Sequence, residues 1–243
     1  MATMNTGVFR GLAQPQLSQL REGLALLEHS DPGAVRARMS TNGFALLADG
    51  GALLFDTGAE ELLPLIDRLR NEGFQPRGLV LSHRHVAGLG GAAPVISRAY
   101  RVPVFLHPVD ARHPQATAAG IAYEDPTGHP LIAAFGAEVV HLPGHTAGSI
   151  GLYLPDRGGT LLTGDAAMGP TAVQTEAGVE YLIRPPVIMN VNDGELRAGW
   201  RAFHRPLASV LPYHGTGYLD RAVDLPTIMA PLTRVEPTMG LTG

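Results

Sequence analysis

The sequence contains no cysteine. This absence excludes disulfide bonds, thiolate metal ligands and cysteine nucleophiles at the same time. Any metal ion that the chain binds must therefore be held by the side chains of histidine, aspartate or glutamate.

Positively charged residues are also few. Lysine and arginine together number 18 against 22 acidic residues, so the formal net charge is −4 and the isoelectric point lies near 6.2. The basic residues are scattered along the chain, whereas a nucleic-acid backbone is bound by a basic stripe or patch. We therefore expect no nucleic-acid partner.

Long apolar runs are missing as well. No stretch approaches the roughly 18 apolar residues of a membrane span, and residues 1–11 lack the apolar segment of a signal peptide. We expect a cytoplasmic protein with no membrane partner. The sequence carries no signal for an oligomeric state.

Hydrophobic residues make up 45% of the 243 residues and occur along the whole length, together with 30 glycines and 20 prolines. This composition predicts one domain over residues 1–243, rich in turns, and not a disordered chain. Apolar residues recur at helical spacing over 62–69 and a short apolar run follows at 79–81, an alternation typical of the α/β class. Residues 44–55 predict a hairpin, whereas residues 17–27 fit either a helix or a strand.

Two histidines, His83 and His85, follow the apolar run 79–81, and a glycine-rich turn comes next. The pair is therefore expected at the C-terminal end of a buried strand, which is where α/β proteins build their sites. Neutral imidazoles two residues apart can bind one cation such as zinc, provided that further ligands arrive from elsewhere in the chain.

Three later segments supply candidates. His145 lies in a Pro-Gly-His-Thr-Ala-Gly-Ser turn, Asp165 follows Thr-Gly after an apolar run, and His214 precedes Gly215. Together with the histidine pair, these segments resemble the metallo-β-lactamase superfamily, whose motifs are HxHxDH, GHTxGS, a GD aspartate and a late HG histidine in this order. The resemblance covers residues 44–215, and it implies a four-layer αββα sandwich.

The resemblance also implies a ligand set. His83, His85 and His145 would form the first metal site, and Asp165 would bridge to a second site that includes His214. One departure concerns that second site: Ala87 and Gly88 stand where the superfamily has Asp-His, and neither side chain can bind a metal. We therefore expect one metal ion, zinc first, with iron or manganese as the other candidates.

Three neutral histidines leave a fourth position of zinc open, as catalytic sites require. The expected reaction is hydrolysis of a small-molecule ester, thioester, lactone or amide by a metal-bound hydroxide at this mononuclear site. Asp165 would serve as a ligand or as a general base. His214 would hydrogen-bond an oxyanion or the nucleophile, or would end its strand as a structural residue.

Two alternatives from other classes remain open. His83, His145 and Asp165 are also the two-histidine, one-carboxylate set of a mononuclear non-haem iron oxygenase. The Ala87-Gly88 departure would also fit an inactive binding protein of the same fold, although the retained His83, His85, His145 and Asp165 argue against a complete loss of the site. A further candidate is Asp56 of Asp-Thr-Gly: the superfamily's aspartate at this place orients a ligand, whereas a helix cap or turn is the plain interpretation.

Overall fold

The computed structural model describes residues 15–30, 39–57, 59–88 and 92–235. Gly90 and Gly91 of the glycine-rich turn, and the N-terminal residues 1–14, lie outside this part of the chain. Within it the backbone forms ten strands, nine α-helices and several 3-10 turns.

The strands follow one another along the chain with helices between them. They are β1 (Gln16–Arg21), β2 (Leu24–Ser30), β3 (Ser40–Ala48), β4 (Gly51–Phe55), β5 (Gln75–Val80), β6 (Val104–Phe105), β7 (Glu138–His141), β8 (Ile150–Leu154), β9 (Thr160–Met168) and β10 (Ser209–His214). The predicted hairpin is β3–β4, whose turn places Asp49 and Gly50 at positive φ. The ambiguous residues 17–27 form two strands, because β2 pairs along its whole length with β3.

All ten strands belong to one mixed sheet in the order β6-β5-β4-β3-β10-β9-β8-β7, with β2 also paired to β3 and β1 to β2. Strands β4, β5 and β6 run parallel to one another, and so do β9 and β10. The parallel strands therefore end at common edges, and the candidate site residues lie at these ends.

The α-helices are short. They are α1 (Leu63–Asn71), α2 (Arg84–Gly88), α3 (Ala93–Tyr100), α4 (Pro108–Ala111), α5 (Pro114–Thr117), α6 (Pro130–Ala134), α7 (Ala172–Glu176), α8 (Asp193–Ala202) and α9 (Leu225–Met229). Helix α1 buries Leu65, Ile66 and Leu69, as its spacing predicts. No helix in the described ranges combines the length and the apolar character that crossing a bilayer requires.

Three apolar clusters separate four layers. One packs α1 and α3 against β4 and β5, through residues such as Ile66, Ile96 and Leu79. A second joins the two halves of the folded sheet, with Phe55 of β4 and Leu162 of β9 among its members. The third packs α8 and α9 on β8–β10. Helix, sheet, sheet and helix follow in that order, which confirms the α/β four-layer αββα sandwich.

Two local details differ from what the sequence pattern suggests. The pattern places the cap of α8 at Asp193, whereas in the structure the cap is Asn192, whose side chain accepts a hydrogen bond from the Glu195 N–H at 3.0 Å. The segment after Asp224, which shows no clear element in the sequence, contains α9 and a 3-10 turn at Ala230–Thr233. The five-residue α9 carries too few apolar positions for its periodicity to be recognised.

Candidate metal centre

The first two candidate ligands lie just beyond β5. His83 is the third residue after the strand and is 1% exposed, while His85 lies in α2 and is half-buried. The backbone N–H of Ser82 donates a hydrogen bond to Asp56 Oδ1 at 2.7 Å, and Ser82 Oγ lies 2.8 Å from His83 Nδ1. Asp56 therefore fixes the residue that precedes and contacts His83.

His145 lies in the turn between β7 and β8, and its ring is held from the segment before α8. His145 Nδ1 donates to Asn190 Oδ1 at 3.1 Å. The amide of Asn190 is itself oriented, because its Nδ2 donates to Pro185 O at 3.0 Å and to Asp193 Oδ1 at 3.2 Å. Because Nδ1 is occupied by this hydrogen bond, Nε2 is the ring nitrogen of His145 that is available to a metal ion.

The three imidazoles converge. Their ring centroids are 4.8–5.0 Å apart, the rings are nearly perpendicular, and one ligand nitrogen from each ring lies within 4.8 Å of the others. His85 Nδ1 lies 3.0 Å from His145 Nε2. His83, His85 and His145 could hold one metal ion between them.

Asp165, near the end of β9, faces the same centre. Its Oδ2 lies 3.7 Å from His83 Nε2, 3.7 Å from His145 Nε2 and 3.8 Å from His214 Nε2. His214 is the last residue of β10, and its Nδ1 donates to Ser40 O at 3.3 Å. The structure thus brings all five predicted site residues together.

The donor set suits a metal ion. Zinc–nitrogen bonds of about 2.0–2.1 Å in tetrahedral geometry separate ligand atoms by about 3.3–3.4 Å. Here His85 Nδ1 and His145 Nε2 are 3.0 Å apart. Asp165 Oδ2 lies 3.7 Å from Nε2 of His83 and 3.7 Å from Nε2 of His145. These separations bracket the value for zinc. Asp165 Oδ1 is buried without a hydrogen-bond partner among the described residues. A buried oxygen of this kind costs free energy unless something binds it.

Burial determines the protonation state of His83 and His85. Desolvation, followed by the neighbouring histidines, lowers the pKa of His83 well below its usual value of 6.5. Desolvation, with His145 next, lowers the pKa of His85 to about 4. Both imidazoles are therefore neutral at pH 7, the form in which they bind metals. Burial acts in the opposite direction on Asp56 and raises the pKa of its carboxyl to about 7.

The family model of the metallo-beta-lactamase superfamily matches residues 37–211, which is most of the chain. The chain belongs to this superfamily. The resemblance inferred from the motifs is thereby confirmed.

Individual relatives are more distant. A hydroxyacylglutathione hydrolase of Xanthomonas campestris pv. campestris (strain B100) is 32% identical over 125 residues, which are 50% of this chain and 44% of that enzyme. The match thus spans less than half of the curated relative. A metallo-β-lactamase from Erythrobacter litoralis superposes with a TM-score of 0.67 at 15% identity, covering 91% of this chain and 96% of its own. One from Pontibacter korlensis gives 0.61 at 20% identity, covering 91% and 100%. Identities this low show the fold alone.

Relative to the superfamily's motif, Ala87 is the clearest difference. Its side chain is 2% exposed and belongs to the apolar cluster beneath α1 and α3. The position is thus occupied by a small core residue where other members of the superfamily place a carboxylate.

Several supporting residues of this metallo-β-lactamase fold lack a sequence signal. Ser40, Asp110 and Asn190 reach the site only through long-range contacts, and Ser82 contacts the adjacent His83. By contrast, three loop histidines have local roles: each precedes a proline, caps a short helix and accepts a hydrogen bond from the N–H two residues later. They are His107, His113 and His129, which cap α4, α5 and α6.

Proposed function

We propose that the protein is a metal-dependent hydrolase of a small ester, thioester, lactone or amide, with one zinc ion held by His83, His85 and His145. The observation that carries the proposal is the convergence of three imidazoles beside a buried carboxylate with an unsatisfied oxygen. Membership of the metallo-β-lactamase superfamily supports the same class of reaction. A zinc ion at this site would lower the pKa of a bound water to about 7 and polarise a carbonyl oxygen of the substrate.

The protein's own groups divide the remaining work. Asp165 Oδ2 lies 3.7–3.8 Å from the Nε2 atoms of His83, His145 and His214. It is placed to act as a further ligand or to take a proton as general base. His214 Nδ1 donates to Ser40 O, so its Nε2 is directed toward Asp165, 3.8 Å from Oδ2. We assign His214 to hydrogen bonding with the reacting oxygen atoms.

Thioesters are the first substrates to test, because the curated relative is named as a hydroxyacylglutathione hydrolase. The match covers 44% of that enzyme, so the acyl and thiol parts remain to be found by screening. Esters and lactones of similar size complete the screen. We retain the cytoplasm as the proposed location.

The experiment is elemental analysis of protein purified without added metal or chelator. We expect about one equivalent of zinc. His145→Ala should lower metal affinity by more than the roughly 10–100-fold that substitutions of outer-shell residues cost, because it removes a ligand. His204→Ala, at an exposed histidine, is the matched control and should keep the wild-type content.

Other outcomes would contradict the proposal in different ways. One equivalent of iron would favour the oxygenase alternative and direct the assay to oxygen consumption. No metal after incubation with excess zinc would favour the inactive binding protein. Unchanged stoichiometry in His145→Ala would refute the three-histidine site.

A further inference from the structure

A buried carboxylate outside the metal centre joins the two segments that carry the three histidines. Asp110, in α4, is fully buried. Its Oδ2 accepts hydrogen bonds from the Arg84 backbone N–H at 2.8 Å and from Thr146 Oγ1 at 2.6 Å. Its Oδ1 accepts from the Gly148 N–H at 3.0 Å and from Arg84 Nη1 at 3.3 Å.

The partners of this carboxylate are informative because of their places in the sequence. Arg84 stands between His83 and His85, and Thr146 directly follows His145. The carboxylate therefore connects, within one side chain, the start of α2 to the turn between β7 and β8. The two segments are not joined by a strand ladder, since β5 and β8 are not neighbours in the sheet. The Ile150 N–H donates to Ser82 O at 2.8 Å and links their backbones beside the site, and Asp110 adds a connection on the side of Arg84 and Thr146.

The turn is also shaped to let Asp110 approach. A Cβ atom at Gly148 would lie 2.7 Å from Asp110 Cγ and 2.9 Å from Asp110 N, distances that real side chains essentially never show. Thr146 Oγ1 must donate to Asp110, because a carboxylate oxygen only accepts. Ser149 Oγ, 2.8 Å from Thr146 Oγ1, then donates to that hydroxyl and accepts from the Thr146 N–H at 2.9 Å. The turn thus presents an aligned set of donors to one carboxylate.

We propose that Asp110 is a positioning residue that holds the His83–His85 segment and the His145 turn at the separation the metal centre needs. Its effect on metal binding rests on the proposed function above, whereas its effect on the two segments does not. Asp110 touches no ligand side chain, so it acts through Arg84, Thr146 and Gly148.

Asp110→Asn is the sharpest variant. Each carboxylate oxygen receives two hydrogen bonds, so either orientation of the asparagine amide places an NH₂ group against two donors. The side chain keeps its size while its acceptor set is broken. Leu69→Ala is the control for a general loss of stability, because Leu69 is buried in α1 just before the start of β5, at the end of that strand away from His83.

The first measurement is amide hydrogen exchange in metal-free protein. We expect at least one of the Arg84 and Gly148 amides to exchange at least about tenfold faster in Asp110→Asn than in wild type, because the asparagine NH₂ group faces one of these two donors in either orientation. In Leu69→Ala the exchange rates of these two amides should rise no more than those of other amides in the fold. Unchanged exchange of both amides in Asp110→Asn would overturn the proposal.

The second measurement is zinc affinity by competition with a chromophoric chelator, with the visible spectrum of the cobalt(II)-substituted protein as a probe of ligand geometry. Asp110→Asn should weaken binding by roughly 10–100-fold and alter the cobalt spectrum, as loss of outer-shell support does. Leu69→Ala should leave the spectrum unchanged. If Asp110→Asn keeps the affinity and the cobalt spectrum of the wild type, the proposal is also overturned. If the wild type binds no metal but the exchange result holds, only the metal centre is refuted.

Discussion

Substitution of Gly164 by alanine tests how closely β9 must approach the loop that carries His83. Gly164 precedes Asp165 and has φ +54°, and a Cβ atom there would overlap both Cβ and Oγ of Ser82. Both distances from this Cβ atom would be well below 3.0 Å, a separation under which real Cβ contacts are essentially never found. Alanine at this position therefore forces β9 and Ser82 apart.

The magnitude has two parts. An alanine in the left-handed region costs about 1–2 kcal/mol, and overpacking a tight core contact costs about 1–3 kcal/mol. We expect Gly164→Ala to lower the free energy of unfolding by about 2–5 kcal/mol. Gly120→Ala is a matched control, because Gly120 has φ +65° and nothing within 4 Å of the Cβ position, so only the backbone part applies.

Urea unfolding of the metal-free proteins measures both variants. The loss in Gly164→Ala should exceed that in Gly120→Ala by at least about 1 kcal/mol. Adding Ser82→Gly to Gly164→Ala removes both overlapping atoms, so the double variant should recover part of the loss. Equal losses in Gly164→Ala and Gly120→Ala would refute the reasoning.

Two further changes address the centre itself. Burial raises the pKa of the Asp56 carboxyl from 3.8 to about 7. Between these two pH values the folded protein holds a proton on Asp56 that unfolding releases. This group therefore makes the free energy of unfolding fall as the pH rises, by at most about 1.4 kcal/mol per pH unit. Asp56→Asn, which tolerates the local φ of +52°, should flatten the decline in urea titrations of metal-free protein between pH 4 and 7; an unchanged slope would argue against a protonated Asp56. Ala87→Asp with Gly88→His should raise zinc from one to two equivalents and destabilise the metal-free protein, because position 87 is buried among apolar residues; a stoichiometry that stays at one would mean that the loop geometry has also diverged.

The candidate ligands could be identified in the sequence because each lies beside a glycine turn at the end of an apolar run. His83, His145 and Asp165 are recognisable from a few neighbouring residues, and their order along the chain identifies the fold. The α/β class follows from the local alternation of strand and helix, whereas the four-layer αββα sandwich is implied by the resemblance to the superfamily. Each of these predictions depends only on residues that are close together in the sequence.

The residues that hold the candidate ligands in place could not be predicted in this way. Asp110 lies in a proline-containing stretch that suggests only a surface loop, yet its partners Arg84 and Thr146 are 26 and 36 residues away. Asn190 contacts His145 across 45 residues from a segment without periodicity. A single polar residue in an irregular segment gives no sequence pattern, and its role emerges only when the chain has folded.

The place where β3 meets β10 has a practical consequence. These strands pair through Thr41 and His214, and Asn42 Nδ2 adds bonds to Pro212 O and Gly215 O at 2.9 and 2.8 Å. Strands β1–β6 and β7–β10 are thus consecutive stretches of chain that form the two facing halves. The first supplies two imidazoles and the second supplies the remaining candidate ligands, so a bound ion would cross-link them. Two separately expressed fragments, divided near Gly136, would then form a split protein whose reassembly reports zinc.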